Sequence, residues 1–200
     1  MKSTMLKALC VTSALLALGG CMKDPNAKKA AADNAAATNS STVPADDSDP
    51  TASAQSAAPA SISADAAVIQ VAADGSVKEL RKGTNGWTCM PDNPQTPGKD
   101  PMCMDANAMK WEQAWMAHKA PPADNVGLMY MLQGGSDASN LDPFGDKPAN
   151  GKWVDTGPHV MVVGADSLNR LYPATADPDT TKPYVMFGGT PYAHMMIPIK

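Results

Sequence analysis

All ten aromatic residues of this 200-residue chain lie between Trp87 and Tyr192. Aromatic side chains carry much of the apolar area that a core buries. The packed part of the molecule is therefore expected in the second half of the chain. Residues 22–64 contain no aromatic residue, no Leu and no Gly, and consist mostly of Ala, Ser, Asn, Asp, Thr and Pro. Such a segment buries too little apolar surface to offset its conformational entropy, which predicts a disordered tether. As a flexible coil it spans roughly 35 Å root-mean-square. The alternative is a segment that folds onto a cell-wall partner. Residues 65–200 are then expected to form one globular domain, long enough for a single core.

The first residues read as an address. Lys2 and Lys7 precede an apolar run over residues 8–18, followed by Leu18-Gly19-Gly20-Cys21. This is the order of a basic region, an apolar region and a small-residue cleavage site, so residues 1–20 read as an export signal. The apolar run is too short to span a bilayer as a helix. Ending on cysteine, the segment resembles a bacterial lipobox, which implies that Cys21 becomes the acylated (palmitate-type) first residue of the mature chain. One acyl chain binds a membrane marginally, whereas the several that a lipobox implies hold firmly. Met22 stands where Asp marks inner-membrane retention in enterobacteria-like sorting. By that resemblance the expected location is the outer membrane, facing the periplasm.

Charge narrows the partners. Residues 65–200 carry 11 basic and 15 acidic side chains, spread without long runs. Nucleic-acid binding needs a basic footprint, which is absent. A second, polybasic membrane contact is disfavoured for the same reason.

Four cysteines divide by position. Cys10 leaves with the signal and Cys21 takes the lipid. Cys89 and Cys103 remain, in an oxidising compartment that favours a disulfide between them. Closing that loop contributes about 3 kcal/mol by the chain-entropy model. Pro91, Pro94, Pro97, Gly98 and Pro101 make the intervening segment irregular. The competing reading is copper. Cys89-Met90 and Met102-Cys103-Met104 place soft sulfur at both ends of the loop.

Periodicity suggests the elements. Residues 67–72 and 76–82, joined by Asp74-Gly75, read as a hairpin. Asn85-Gly86 is a second turn signal, leading into Trp87 and Cys89. A helix is expected over residues 106–119, capped by Asp105 and stopped by Pro121-Pro122. Ala108, Trp111 and Trp115 form its apolar stripe, with Met109 and Met116 beside it. The stripe reads as a core face, with a ligand-stacking platform as the alternative. Residues 126–132, 159–163 and 184–187 read as strands, the last continued at 193–197. The expected class is α+β, a small antiparallel or mixed sheet of four to six strands with one main helix and long Gly/Pro-rich loops.

The residues that carry chemistry are few. His118 near the helix end reads as a surface side chain. His159 and His194 each follow a proline-containing turn and enter an apolar strand. Should those strands pair, two imidazoles plus Asp155 or Asp142 would make a copper, zinc or general-base site. Otherwise each histidine satisfies a loop carbonyl. Trp87 and Tyr192 join His159 and His194 as candidate ligand contacts. Gly134-Gly135-Ser136-Asp137-Ala138 lacks the last glycine of a nucleophile elbow. Residues 145–152 have one residue too many for a phosphate loop and continue into Trp153.

The segments Gly86-Trp87-Thr88-Cys89-Met90-Pro91, Asp100-Pro101-Met102-Cys103, Met129-Tyr130-Met131-Leu132 and Gly189-Thr190-Pro191-Tyr192-Ala193-His194 resemble those of a family of uncharacterised exported bacterial proteins. The resemblance covers roughly residues 80–200 and implies an exported domain, with no activity attached. The sequence therefore predicts an envelope lipoprotein presenting a disulfide-clipped binding or structural domain without a cofactor. Metal binding and a small hydrolase using His194 are the alternatives. The expected partners are a membrane, reached through the lipid, and an envelope or cell-wall component.

Overall fold

The computed structural model describes residues 48–199. The signal, Cys21 and the tether as far as residue 47 lie outside the described residues. None of the described helices is long and apolar enough to cross a membrane.

The chain folds as α1 (Pro50–Gln55), α2 (Ala60–Ser63), β1 (Ala67–Val71), β2 (Val77–Arg81), β3 (Thr88–Met90), β4 (Met102–Met104), α3 (Ala106–Met116), β5 (Gly127–Met131), β6 (Gly135–Asp137), β7 (Val154–Thr156), β8 (His159–Val163), β9 (Tyr184–Met186) and β10 (His194–Pro198), with a 3-10 turn at Leu168–Arg170. Eight strands form one mixed sheet in the order β2-β1-β3-β4-β5-β8-β10-β9, and β6 pairs with β7 in a separate ribbon. Among the described strands only the β1–β3 pairing is parallel.

This corrects the expected small sheet of four to six strands with one main helix. The four strands beyond those expected, β3, β4, β6 and β7, are each three residues long. Two of them are built from Met, Cys and Thr, which give no alternating β-branched signal. Their pairing joins the predicted hairpin, now β1 and β2, to the central strands.

The two faces of the sheet have different covers. On one face Val68, Cys89, Cys103 and Tyr130 stand opposite one another across β1, β3, β4 and β5. The Cys89–Cys103 disulfide crosses directly paired residues whose Cα atoms are 4.0 Å apart. Over it lie α1 and the turn after it. Ala54, Ala57, Ala58 and Ala66 are buried with Val68 and both cysteines. Cys103 Sγ approaches the Ala54 carbonyl at 3.6 Å.

The sequence reading assigned residues 48–64 to the tether. In the structure these residues carry two helices that close one face of the sheet. Asp49 caps α1 by accepting from Thr51 N at 2.8 Å, and Pro50 occupies its first turn, where a missing N–H costs nothing. Arg81 ties down α2 by donating to the Ser63 and Ala66 carbonyls, both at 2.7 Å. Alanine buries little area per residue, but its small side chain lets helical backbone lie against a disulfide.

The opposite face holds the larger core. Met104, Met129, Met161, Met196 and Tyr184 stand side by side on β4, β5, β8, β10 and β9. All five are buried. Burial of each methionine contributes roughly 1.5–3 kcal/mol. Helix α3 covers this face through Ala108, Trp111 and Glu112. It begins close to β5: a Cβ added at Gly127 would sit 2.2 Å from Ala108 N. Only glycine allows that approach.

Candidate functional site

His159 is the first residue of β8, and His194 is the first of β10. These strands pair antiparallel with His159 opposite Pro198 and Met195 opposite Val162. Both histidines therefore face the α3 side, two rows apart, with the methionine row between them. The neighbours run His159, Met161, Met196, His194, each step being either two residues along a strand or one directly paired residue across.

Each histidine is 2% exposed. His159 Nδ1 donates to the Gly157 carbonyl at 2.8 Å, and His194 Nδ1 donates to the Tyr192 carbonyl at 2.9 Å. A carbonyl only accepts, so each Nδ1 carries the hydrogen. Each Nε2 then keeps a lone pair, and neither has a partner. Burial holds the His159 imidazole below its ordinary pKa despite the Gly157 bond. Burial drives His194 down to about 4, assisted by His159. Both rings are neutral at neutral pH.

The surroundings of the two rings differ. His194 packs edge-to-face on Trp111 at 5.2 Å and on Phe187 at 5.4 Å between centroids. Phe187 is held at a φ of 56°, a conformation that costs a non-glycine residue roughly 1–3 kcal/mol. Its N–H donates to the Asn140 carbonyl and its carbonyl accepts from Thr190 Oγ1, fixing the ring against His194. His159 instead stands opposite Met131 on β5 and two residues from Met161.

The sequence candidates do not assemble as one site. Tyr192 lies near His194, packs on Trp111 and donates its hydroxyl to the Lys119 carbonyl at 3.0 Å. Trp87 is on the opposite face, against Tyr130 beside the disulfide. Asp155 and Asp142, considered as third ligands, are exposed. No group of three or more His, Cys, Asp or Glu residues converges on a metal position among the described residues. His194 has no hydroxyl bonded to it that would serve as a nucleophile. The cysteines are joined in the disulfide, which removes both thiolates from the Cys/Met copper reading.

Sequence reasoning missed a set of carboxyls. Glu112 points from α3 into the core and is 5% exposed. Burial, with the charge of Asp137, pushes its pKa up to about 7. Asp137 on β6 is also pushed up to about 7, by burial and then by Asp100. Asp100 rises to about 6, chiefly through burial. The Tyr184 phenol has no partner, and burial together with Asp137 raises it as well. In the sequence Glu112 occupies a position on the apolar stripe beside Trp111, and nothing in the local pattern marks it as buried.

A cleft of about 470 Å³ opens beside this core. Trp111, Asp124, Asp166, Arg170, Thr190 and Pro191 are among its walls. It lies at the His194 end, with the Ala193 backbone in its lining.

The fold and site define a disulfide-bonded, mixed-sheet domain with a buried histidine–methionine layer. Compared with family models, with curated proteins and with solved structures, the chain finds no match.

Proposed function

We propose that this chain is an exported envelope lipoprotein, anchored through acylated Cys21, whose disulfide-clipped domain is a binding module. The carrying observation is the buried Cys89–Cys103 bond, formed between directly paired residues. Such bonds belong to oxidising compartments. The Leu18-Gly19-Gly20-Cys21 sequence supplies the route there and the anchor. The cleft beside Trp111 supports binding as the task of the domain. A bacterium expressing the full gene and fed labelled palmitate should place label on this protein, in the membrane fraction. Cys21→Ser should abolish it. An unlabelled wild-type protein retaining Met1 overturns the anchor.

A second reading is metal binding by the buried histidines. One observation favours it: both rings are oriented by a carbonyl at Nδ1 and keep Nε2 free. Metal-bound histidines are oriented in the same way. Metal analysis of full chain purified without chelator should find a stoichiometric ion; its absence, with none taken up on addition, overturns this reading.

A further inference from the structure

The lone pair on His159 Nε2 is one of a few buried polar atoms without a partner among the described residues. An acceptor buried without a donor has lost its bond to water and gained nothing in return. The ring is not free to turn away, because Nδ1 is held by the Gly157 carbonyl at 2.8 Å. Among the described residues no hydroxyl, amide or ammonium group reaches Nε2. On its own face His159 has Pro198 opposite it on β10 and thioether on its other sides. Met131 is its direct partner on β5, Met161 is two residues along β8, and Met129 is the partner of Met161. Directly opposed residues on one face have Cβ atoms about 4.5–5.5 Å apart. Residues two apart along a strand are about 6.6 Å apart. Flexible methionine side chains can close such gaps.

A neutral imidazole nitrogen and thioether sulfurs form a soft ligand set that suits Cu(I). It offers no carboxylate or thiolate, which zinc sites commonly use alongside imidazole. Asp155 and Asp142 are exposed, the buried carboxyls Glu112, Asp137 and Asp100 act on one another and not on His159, and the thiols are locked together. His194 has a free Nε2 as well, but aromatic rings stand against its imidazole. His159 follows Gly157 and Pro158, both exposed. A small ion has a short way in at that turn.

We propose that the domain binds one Cu(I) ion through His159 Nε2 and the thioethers of Met131 and Met161. This deepens, and rests on, the metal-binding reading; it does not depend on acylation.

The test uses the full chain carrying Cys10→Ser and Cys21→Ser, with Cys89–Cys103 kept oxidised, so that no free thiol takes up copper. Cu(I) is supplied anaerobically with ascorbate and titrated against a chromophoric Cu(I) chelator. One equivalent should be retained, and X-ray absorption should show a mixed nitrogen and sulfur shell. His159→Gln should weaken binding at least tenfold. The double variant Met131→Leu with Met161→Leu should do the same. Its volume-conserving changes keep the core packed, and thermal unfolding checks this. Met104→Leu, in the same methionine row but away from His159, should leave affinity unchanged. Copper binding that survives both His159→Gln and the double variant overturns the proposal. Zinc taken up in place of copper overturns the thioether assignment while leaving metal binding intact. No uptake of either ion overturns both.

Discussion

Leu128 donates its backbone N–H to Asp105 Oδ2 at 3.0 Å, while its carbonyl accepts from Asp105 N at 3.1 Å. The other carboxylate oxygen of Asp105 accepts from Asn107 N and Ala108 N. One side chain therefore starts α3 and fixes it to β5. Asp105→Ala should remove the cap, at about 1 kcal/mol, and the bond to Leu128, at about another. A total loss near 2 kcal/mol is expected in chemical denaturation. Asp105→Asn has one acceptor oxygen in place of two and should fall between. A loss below about 0.5 kcal/mol for Asp105→Ala would mean that the cap is not what holds the helix there.

Gly127 sets how closely α3 approaches β5. An added Cβ would lie 2.2 Å from Ala108 N and 2.7 Å from Ala108 Cα. Both are backbone atoms, so relief requires moving the whole helix. Gly127→Ala should destabilise the domain by about 3 kcal/mol, at the upper end for overpacking. At Gly75, where nothing lies within 4 Å but φ is +80°, the same change is a matter of turn conformation and should cost about 1 kcal/mol. Unfolding of both variants, measured side by side, separates a steric from a conformational demand.

Residues 48–64 make a corresponding prediction on the other face. Ala54 is fully buried beneath Cys103. Ala54→Leu should cost about 1–3 kcal/mol through overpacking, whereas a tether would accept it freely. It should also speed reduction of Cys89–Cys103 by mild thiols, because α1 shields the bond. Unchanged stability together with unchanged reduction would return this segment to the tether.

These outcomes show which parts of the fold are legible in sequence. Residues 126–132 and 159–163 are apolar on both faces and announce central strands. The helix is legible from its cap and stripe, and the disulfide from cysteine arithmetic. The short strands are not, because β3 and β4 owe their place to pairing with neighbours. Nor is α1, because alanine gives the same signal in a disordered tether and at a close-packed contact. The histidines stand out by their turns. That they flank a methionine row depends on the register of β8 with β10, a tertiary fact that no local pattern carries. Glu112 falls on a stripe otherwise read as apolar, and a buried acid there is recognisable only once the sheet covers it.

That acid gives the domain a pH dependence of definite sign. Glu112 is raised from 4.5 to about 7 on folding, and Asp137 from 3.8 to about 7. A carboxyl with a raised folded pKa favours the native state fully at low pH, and this contribution is lost as pH rises through 7. His194, lowered from 6.5 to about 4, acts in the opposite direction: its contribution is present above 6.5 and is lost as pH falls toward 4. Between about pH 4.5 and 6.5 the two carboxyls outweigh the single opposing histidine, so wild-type stability should fall there as pH rises, more gently than it does above that window. Above that window only the carboxyl term still changes, and stability should fall as pH approaches 7. Glu112→Gln removes one falling term. Relative to wild type the variant should gain on the order of 2 kcal/mol between pH 5 and pH 8. Denaturation at the two pH values measures this directly. A difference between variant and wild type that does not change with pH would mean that Glu112 titrates in the folded protein as it does in the open chain.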